Sequence, residues 1–304
     1  MRKIGVLVVT YNQKDLTLNW INEFKRTFLG QDNLYLLILD NNSNDGTYEA
    51  LKKQYPDEDV RKLNDNYGCN TGRNIGIVEL INMGCEYICT LDNDCIIEDS
   101  QFFRKMQEAF DSNRDIDGYS AIVKWGDDRS IDTMGSRRKW YGIRRAVKII
   151  TKNTKVDYFS GGACVIRACT YIKYGLLDND YPLVGGEDHA WGLRVTKDGA
   201  NLHFNPQTEI FHYQNRHIPS SNPEKITCCI HGKVMFLRKN PSLVYLLLEV
   251  RDCCHYLSRY GFRLCLKSYY TGLKRKMHQN NYKFKEFSEQ GLQKYYAQTQ
   301  VVTH

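Results

Sequence analysis

Asp92 and Asp94 close the run Tyr87-Ile88-Cys89-Thr90-Leu91-Asp92-Asn93-Asp94, whose apolar, β-branched and aromatic start reads as a buried strand. Residues i and i+2 of an extended chain point the same way, so the two carboxylates are expected to converge. Paired hard oxygen donors at the mouth of a sheet suit Mg2+ or Mn2+ carrying a substrate diphosphate. Acid and amide residues also simply end strands and make turns. The pair by itself leaves both readings open.

Three further stretches carry candidate chemistry. In Ser160-Gly161-Gly162-Ala163 the missing side chains either let a group approach the backbone closely or bend a strand. Gly185-Gly186-Glu187-Asp188-His189 opens a helix through Trp191, Leu193 and Val195 to Gly199, where Asp188 is either a functional carboxylate or an N-cap. His212, in Glu209-Ile210-Phe211-His212, is a ligand or an ordinary core or surface histidine.

The elements that must position these residues alternate in type. Ile4–Thr10 reads as a strand, followed by Tyr11-Asn12 and an amphipathic helix through Leu16, Trp20, Ile21 and Phe24. Leu34–Leu39 is a second strand, ending in Asp40-Asn41-Asn42-Ser43-Asn44-Asp45-Gly46 before a helix near Thr47. A short strand around Val60–Leu63 precedes Asn64-Asp65-Asn66-Tyr67-Gly68 and a helix from about Thr71 to Met83. After the fourth strand, Ser100 is expected to cap a helix over Gln101–Asp111. Strand and helix alternating at this spacing imply a parallel sheet covered on both faces, which binds ligands beyond the carboxyl ends of its strands. Thr10, Tyr11, Asp40, Asn66, Asp92 and Asp94 all fall at those ends. Trp125–Lys155 reads as irregular chain with short antiparallel strands, including the basic residues Arg137, Arg138, Lys139, Arg144 and Arg145. The strand Leu202–Asn205 and the segment Glu209–His212 complete the unit, and Gln214–Pro223 reads as a mobile loop.

A length of 304 residues suffices for one large α/β domain with an appendage. The 11 cysteines lack framework or C-x-x-C spacing, which points to free thiols in a reducing compartment. Arg2-Lys3 before Ile4–Val9 is too short an apolar run for a signal peptide, and no stretch approaches the roughly 18–20 apolar residues of a membrane span. A cytoplasmic protein, or one peripheral to the inner face of the plasma membrane, is expected. The formal charge of +7 is concentrated: residues 224–304 hold 14 lysines and arginines against five acids, or +9, leaving −2 for the remainder. The division expected is a catalytic domain over residues 1–223 and a basic helical extension over 224–304.

The chain resembles the inverting nucleotide-sugar glycosyltransferases of family 2, which have the single-domain α/β/α sandwich called type A. The resemblance rests on Val8-Val9-Thr10-Tyr11-Asn12, Ile38-Leu39-Asp40-Asn41-Asn42-Ser43-Asn44-Asp45-Gly46-Thr47 and Asn66-Tyr67-Gly68-Cys69-Asn70-Thr71-Gly72-Arg73-Asn74-Ile75-Gly76. It continues in Leu91-Asp92-Asn93-Asp94, Gly161-Gly162-Ala163, Gly186-Glu187-Asp188 and Phe211-His212, and covers about residues 4–215. In look it is closest to members that build bacterial surface polysaccharides, rhamnosyltransferases included. The resemblance implies that Thr10, Tyr11 and Asp40 hold the base and ribose of a UDP- or dTDP-linked donor, and that Arg73 reaches base or phosphates. It implies Asp92 near ribose and metal, Asp94 and His212 as ligands of Mn2+ or Mg2+, and Asp188 as general base supported by Glu187. A helix start tends to lower the Asp188 pKa, so its value is expected to lie in position. Cys95 directly after Asp94, and the absence of a Gly-x-Ser after His212, depart from the pattern. The acceptor implied is a glycan or a lipid-linked intermediate.

Two other functions are weighed. A sugar-nucleotide nucleotidyltransferase would want a glycine-rich loop after the first strand, where Tyr11-Asn12-Gln13-Lys14-Asp15 has no glycine. A non-catalytic nucleotide-sugar or polysaccharide-binding module would not need the candidate base. The basic extension lacks a nucleic-acid recognition motif. Asn240-Pro241 reads there as the start of a helix with an apolar opening, Leu243–Val250, ended by Arg251-Asp252. Phe262, Leu266, Tyr269, Tyr270, Leu273 and Met277 share one helical face, complemented by Arg263, Lys267, Lys274, Arg275 and Lys276. That face either lies on an anionic membrane or packs on the catalytic domain.

Overall fold

Alternation along the first strand, β1 (Ile4–Thr10), sets the architecture: Ile4, Val6 and Val8 enter one apolar layer and Leu7 the opposite one. The computed structural model describes residues 2–133, 135–138, 144–146, 152–181, 186–213, 223–277, 283–289 and 291–296. The elements continue as α1 (Lys14–Thr27), β2 (Leu34–Asp40), α2 (Thr47–Gln54), β3 (Asp59–Lys62), α3 (Gly68–Asn82) and β4 (Tyr87–Leu91). Then come β5 (Cys95–Ile96), α4 (Phe102–Ser112), β6 (Gly118–Trp125), β7 (Ile131–Thr133), β8 (Ser136–Arg138), β9 (Arg144–Ala146) and β10 (Thr154–Val156). The remainder is β11 (Ala163–Arg167), α5 (Ala168–Tyr174), α6 (Glu187–Lys197), β12 (Leu202–His212), α7 (Pro223–Lys239), α8 (Leu243–Tyr260), α9 (Phe262–Lys274) and α10 (Phe284–Glu289).

The main sheet runs β10-β12-β6-β11-β4-β1-β2-β3, with β5 on β12 and β7 on β6. On one face lie Trp20, Ile21 and Phe24 of α1 with Phe102, Phe103, Met106 and Phe110 of α4. On the other lie Ile75, Ile77, Val78 and Leu80 of α3, Tyr171 of α5 and Trp191 of α6. Each such side chain, once fully buried, stabilises the fold by about 1.5–3 kcal/mol.

The expected parallel sheet holds for β3-β2-β1-β4 and is corrected beyond it. β11 runs antiparallel to both β4 and β6, while β6 and β12 are parallel. The chain enters β11 from the loop beside the carboxyl end of β4, so no crossover helix reverses its direction. Residues 202–212 form one strand whose register on β6 shifts between Phe204 and Glu209, where two segments were expected. Helix α3 starts three residues early because Asn41 Oδ1 accepts the Tyr67 N–H and Asn66 Oδ1 that of Gly68. Asp99, and not Ser100, closes the start of α4: its Oδ1 accepts the Gln101 N–H at 2.9 Å and its carbonyl that of Phe102.

The extension also differs from expectation. Asn240 ends α7, its N–H donating to Phe236 O, whereas Ser242 begins α8, which runs through Arg251 and Asp252 to Tyr260. Helix α9 turns Cys265, Ser268 and Gly272 inward, with Gly272 close to His231 and Val234 of α7. Of the six apolar residues expected on one face, Tyr269 packs inward and Phe262, Leu266, Tyr270, Leu273 and Met277 are exposed. The chain then returns to the sheet: Phe287 is buried in the α3-side core, and Leu63 and Tyr296 form an antiparallel bridge. Among the described residues no helix is long and apolar enough to cross a membrane. Lys139, Gly185 and the loop 214–222 lie outside the described residues.

Candidate active site

The turn after β4 separates the two acids expected to converge. Cys95 N–H donates to Asp92 O at 3.0 Å, so the chain bends instead of extending. Asn93 is tucked inward, its amide donating to Thr17 Oγ1 at 2.9 Å and Thr10 Oγ1 at 3.3 Å. Asp92 and Asp94 then point into different clusters.

The first cluster is centred on Arg73, whose side chain is only 7% exposed. Its Nη2 donates to Asp92 Oδ1 at 2.7 Å and its Nη1 to Asp188 Oδ1 at 3.1 Å. Asp188 Oδ2 accepts the Gly161 N–H at 2.9 Å. The two glycines are therefore sites of close approach. A Cβ at Gly161 would lie 2.3 Å from Asp188 Oδ1, and one at Gly162 would lie 2.0 Å from Asp92 Oδ2. Gly186, at φ +85, is the N-cap of α6, so Asp188 does not cap it. Burial raises the Asp188 pKa; Arg73 and the Gly161 N–H oppose that and Asp92 adds to it. This corrects the lowering expected from the helix start, because desolvation by the segments packed around the carboxylate is the largest influence on it. Arg73 itself faces these two carboxylates. Glu187 is buried beside Asp188 in the first turn of α6.

The second cluster is centred on His212. Its Nε2 lies 3.3 Å from Asp94 Oδ2, its Nδ1 lies 3.0 Å from Asp132 Oδ2, and Trp125 stacks on the ring at 5.0 Å. Burial alone would lower the His212 pKa, but Asp132 and Asp94 outweigh it and raise it to about 10. Burial would likewise raise the Asp94 pKa, and His212 holds it below the usual carboxylate range. Asp94, Cys95 and His212 offer donor atoms all within 4.8 Å of one another. Carboxylate and imidazole together fit a divalent cation. Among the described residues Asp92 does not belong to this donor set. A cleft of about 320 Å3 opens beside Asp94, lined by Leu16, Asn19, Asn93, Ile96 and Tyr213 among others.

At the neighbouring strand ends, Tyr11 is 42% exposed whereas Thr10 is buried with its hydroxyl on Thr17 at 2.8 Å. Thr10 thus turns its hydroxyl to Thr17 and Asn93 at the end of β1. Asp40 is fully buried, with Oδ1 accepting the Ser43 N–H at 2.6 Å and Oδ2 lacking a hydrogen-bond partner among the described residues. Burial raises its pKa. Sequence reasoning missed Asp132 and Trp125, which no motif flags. It also missed Lys239, which bonds Asp178 and, at 2.7 Å, Asp180, holding α7 to the chain that follows α5.

A model of glycosyl transferase family 2 matches residues 5–175. No curated protein sequence matches the chain. Among solved structures, GalNAc-T7 with UDP, GalNAc and Mn2+ is similar at TM-score 0.62 and 16% identity, over 95% of this chain and 56% of that one. S. aureus TarS 1-349 in complex with UDP-GlcNAc is similar at 0.58 and 12%, over 89% of this chain and 79% of that one. A longer S. aureus TarS chain matches at 0.55 and 13%, over 90% and 55% respectively. These likenesses show a shared fold, the mixed α/β sheet with flanking helices of type A glycosyltransferases. This chain spans little more than half the length of GalNAc-T7 and of the longer TarS.

Proposed function

The chain belongs to glycosyl transferase family 2, and from that premise we propose that it moves a sugar from a nucleoside diphosphate donor onto an acceptor hydroxyl with inversion at the anomeric carbon. One observation carries the proposal: Asp188, a half-buried carboxylate fixed by Arg73 and the Gly161 N–H, shares Arg73 with Asp92, two positions before Asp94 of the carboxylate–imidazole donor set. Asp188 takes the proton of the acceptor hydroxyl as it attacks C1. Each Asp188 oxygen already accepts one hydrogen bond and keeps a lone pair for the acceptor. Arg73 and the Gly161 N–H hold that carboxylate in place, with Glu187 supporting it, so attack from one face needs little reorganisation. A divalent cation, Mn2+ or Mg2+, held by Asp94 and His212 would neutralise the departing diphosphate. Imidazole in the donor set favours Mn2+, and Mn2+ is the ion named for GalNAc-T7.

Tyr11 lies against the nucleotide, and Asp92 accepts a ribose hydroxyl while holding Arg73. The unpartnered oxygen of Asp40 takes an N–H of the base, which suits the imide of uracil or thymine and hence UDP- or dTDP-linked hexoses or deoxyhexoses. The decisive experiment incubates the full chain with such donors, with and without Mn2+, and reads donor consumption and product NMR. Cation-dependent transfer with an inverted anomer is expected. A retained anomer, or full activity of Asp94→Ala in excess EDTA, would overturn the reading.

The acceptor is a lipid-linked glycan intermediate of surface polysaccharide synthesis, met at an anionic membrane surface. Two exposed apolar stripes support this: Leu243, Leu246, Leu247 and Val250 on α8, and Phe262, Leu266, Tyr270 and Leu273 on α9, with Met277 just beyond. Arg263, Lys267 and Lys274 border the α9 stripe by helical position. Each basic residue near anionic lipid contributes about 1 kcal/mol. The full chain is expected to sediment with anionic vesicles at low salt and to be released by salt. A stable dimer that ignores vesicles would mean that a second copy covers these stripes.

A further inference from the structure

The cation site contains a side chain for which the proposed transfer has no use. Cys95 lies directly across from His212 in the antiparallel pairing of β5 with β12. Such opposite residues project to the same face, with Cβ atoms about 4.5–5.5 Å apart. Cys95 Sγ is 3.6 Å from Asp94 Oδ1, and His212 Nε2 is 3.3 Å from Asp94 Oδ2. The backbone beneath is fixed, because Trp20 Nε1 donates to Cys95 O at 2.8 Å. The three donor atoms lie within 4.8 Å of one another. Zinc binds sulfur at about 2.3 Å and nitrogen or oxygen at about 2.0–2.2 Å, so modest side-chain closure would put all three on one ion.

Hard ions take the carboxylate and imidazole and leave a thiol aside, whereas zinc and cadmium accept thiolate readily. Resting on the reading of Asp94 and His212 as the cation site, we propose that Cys95 adds a third donor to it, giving a high-affinity carboxylate–thiolate–imidazole site for Zn2+, which displaces Mn2+ and Mg2+ when it binds. Binding forms a Zn–S bond as the thiol proton passes to solvent, and no electrons change hands. Three protein ligands leave zinc a fourth position for water or a diphosphate oxygen. The simpler role for Cys95 is that of a core thiol, 5% exposed, whose replacement would leave metal selectivity unmoved.

The test is metal binding by calorimetry and Cd2+ binding by ultraviolet absorption, on the full chain and on Cys95→Ser and Cys95→Ala. Zn2+ affinity is expected to fall by at least about 10–100-fold in both variants, the range carried even by outer partners of a ligand. Mn2+ affinity should hardly move, and the wild-type thiolate-to-cadmium charge-transfer band should lose the increment from one cysteine. Unchanged Zn2+ affinity and an unchanged band would overturn the proposal while leaving Mn2+ binding intact. Loss of the cation-site reading itself would look different: Mn2+ affinity would be insensitive to Asp94→Asn. If both variants unfold, 113Cd NMR of the wild type decides, since a sulfur-bound ion in competition with Mn2+ supports the site and an oxygen–nitrogen environment refutes it.

Discussion

Asp92 and Asp94 stand two positions apart, and each serves a different electrostatic arrangement. The Asp92 side is built around Arg73, a cation that never gives up its proton, flanked by Asp188 and by backbone with no side chains. The Asp94 side is built around His212, whose charge is exchangeable and whose imidazole can trade a proton for a metal ion. A permanent counter-charge suits a cluster that has to keep its geometry through every turnover. An exchangeable one suits a place that a cation enters and leaves.

The sharpest way to break this comparison is at Asp188. Asp188→Asn is expected to lower turnover by about 10²–10⁴-fold, the range of general base catalysis, with nucleotide affinity nearly unchanged in a titration. A parallel loss of nucleotide binding and of the folded circular dichroism signal would make Asp188 a structural partner of Arg73. On the other side, Asp132→Ala removes the acceptor that orients His212. Mn2+ affinity measured by calorimetry should weaken by about 10–100-fold, while nucleotide binding without metal stays as it was; an unaffected Mn2+ affinity would mean that Asp94 alone positions the ion. The smallest expected change sharpens the role of the glycines. Gly161→Ala forces a Cβ against Asp188, and denaturant unfolding should show a loss of about 1–3 kcal/mol, with turnover reduced more than in Gly30→Ala, where a Cβ meets nothing and only the positive φ is strained.

Strand ends were legible because apolar runs stop abruptly at Asp40 and at Asp92, and the doubly covered sheet follows from that rhythm. The divergence of Asp92 and Asp94 was not, since it depends on Asn93 turning inward to Thr10 and Thr17, hydrogen bonds made with residues about eighty positions away. The same distance hid Asp132, which meets His212 only once β6, β7 and β12 are assembled. The basicity of Asp188 was misread because a local dipole is visible in a sequence and burial by distant segments is not. Cys95 was conspicuous as a departure from a pattern, yet its neighbour His212 emerged only from strand pairing.

The return of the chain to the sheet has a consequence for the order of events during synthesis. Asn64, at the exit of β3, donates its side-chain amide to Lys294 O, 230 positions downstream, and its backbone N–H to Tyr295 O. At about 5–20 residues per second a ribosome takes roughly 10–50 s to deliver that partner. Until then β3 is a bare sheet edge, the kind that recruits strands from other chains. Closing so long a loop costs about 5 kcal/mol in chain entropy, which Phe287, Tyr295 and Tyr296 offset by packing onto the α3-side core. A chain interrupted before Lys294 would therefore keep the β3 edge without this bridge.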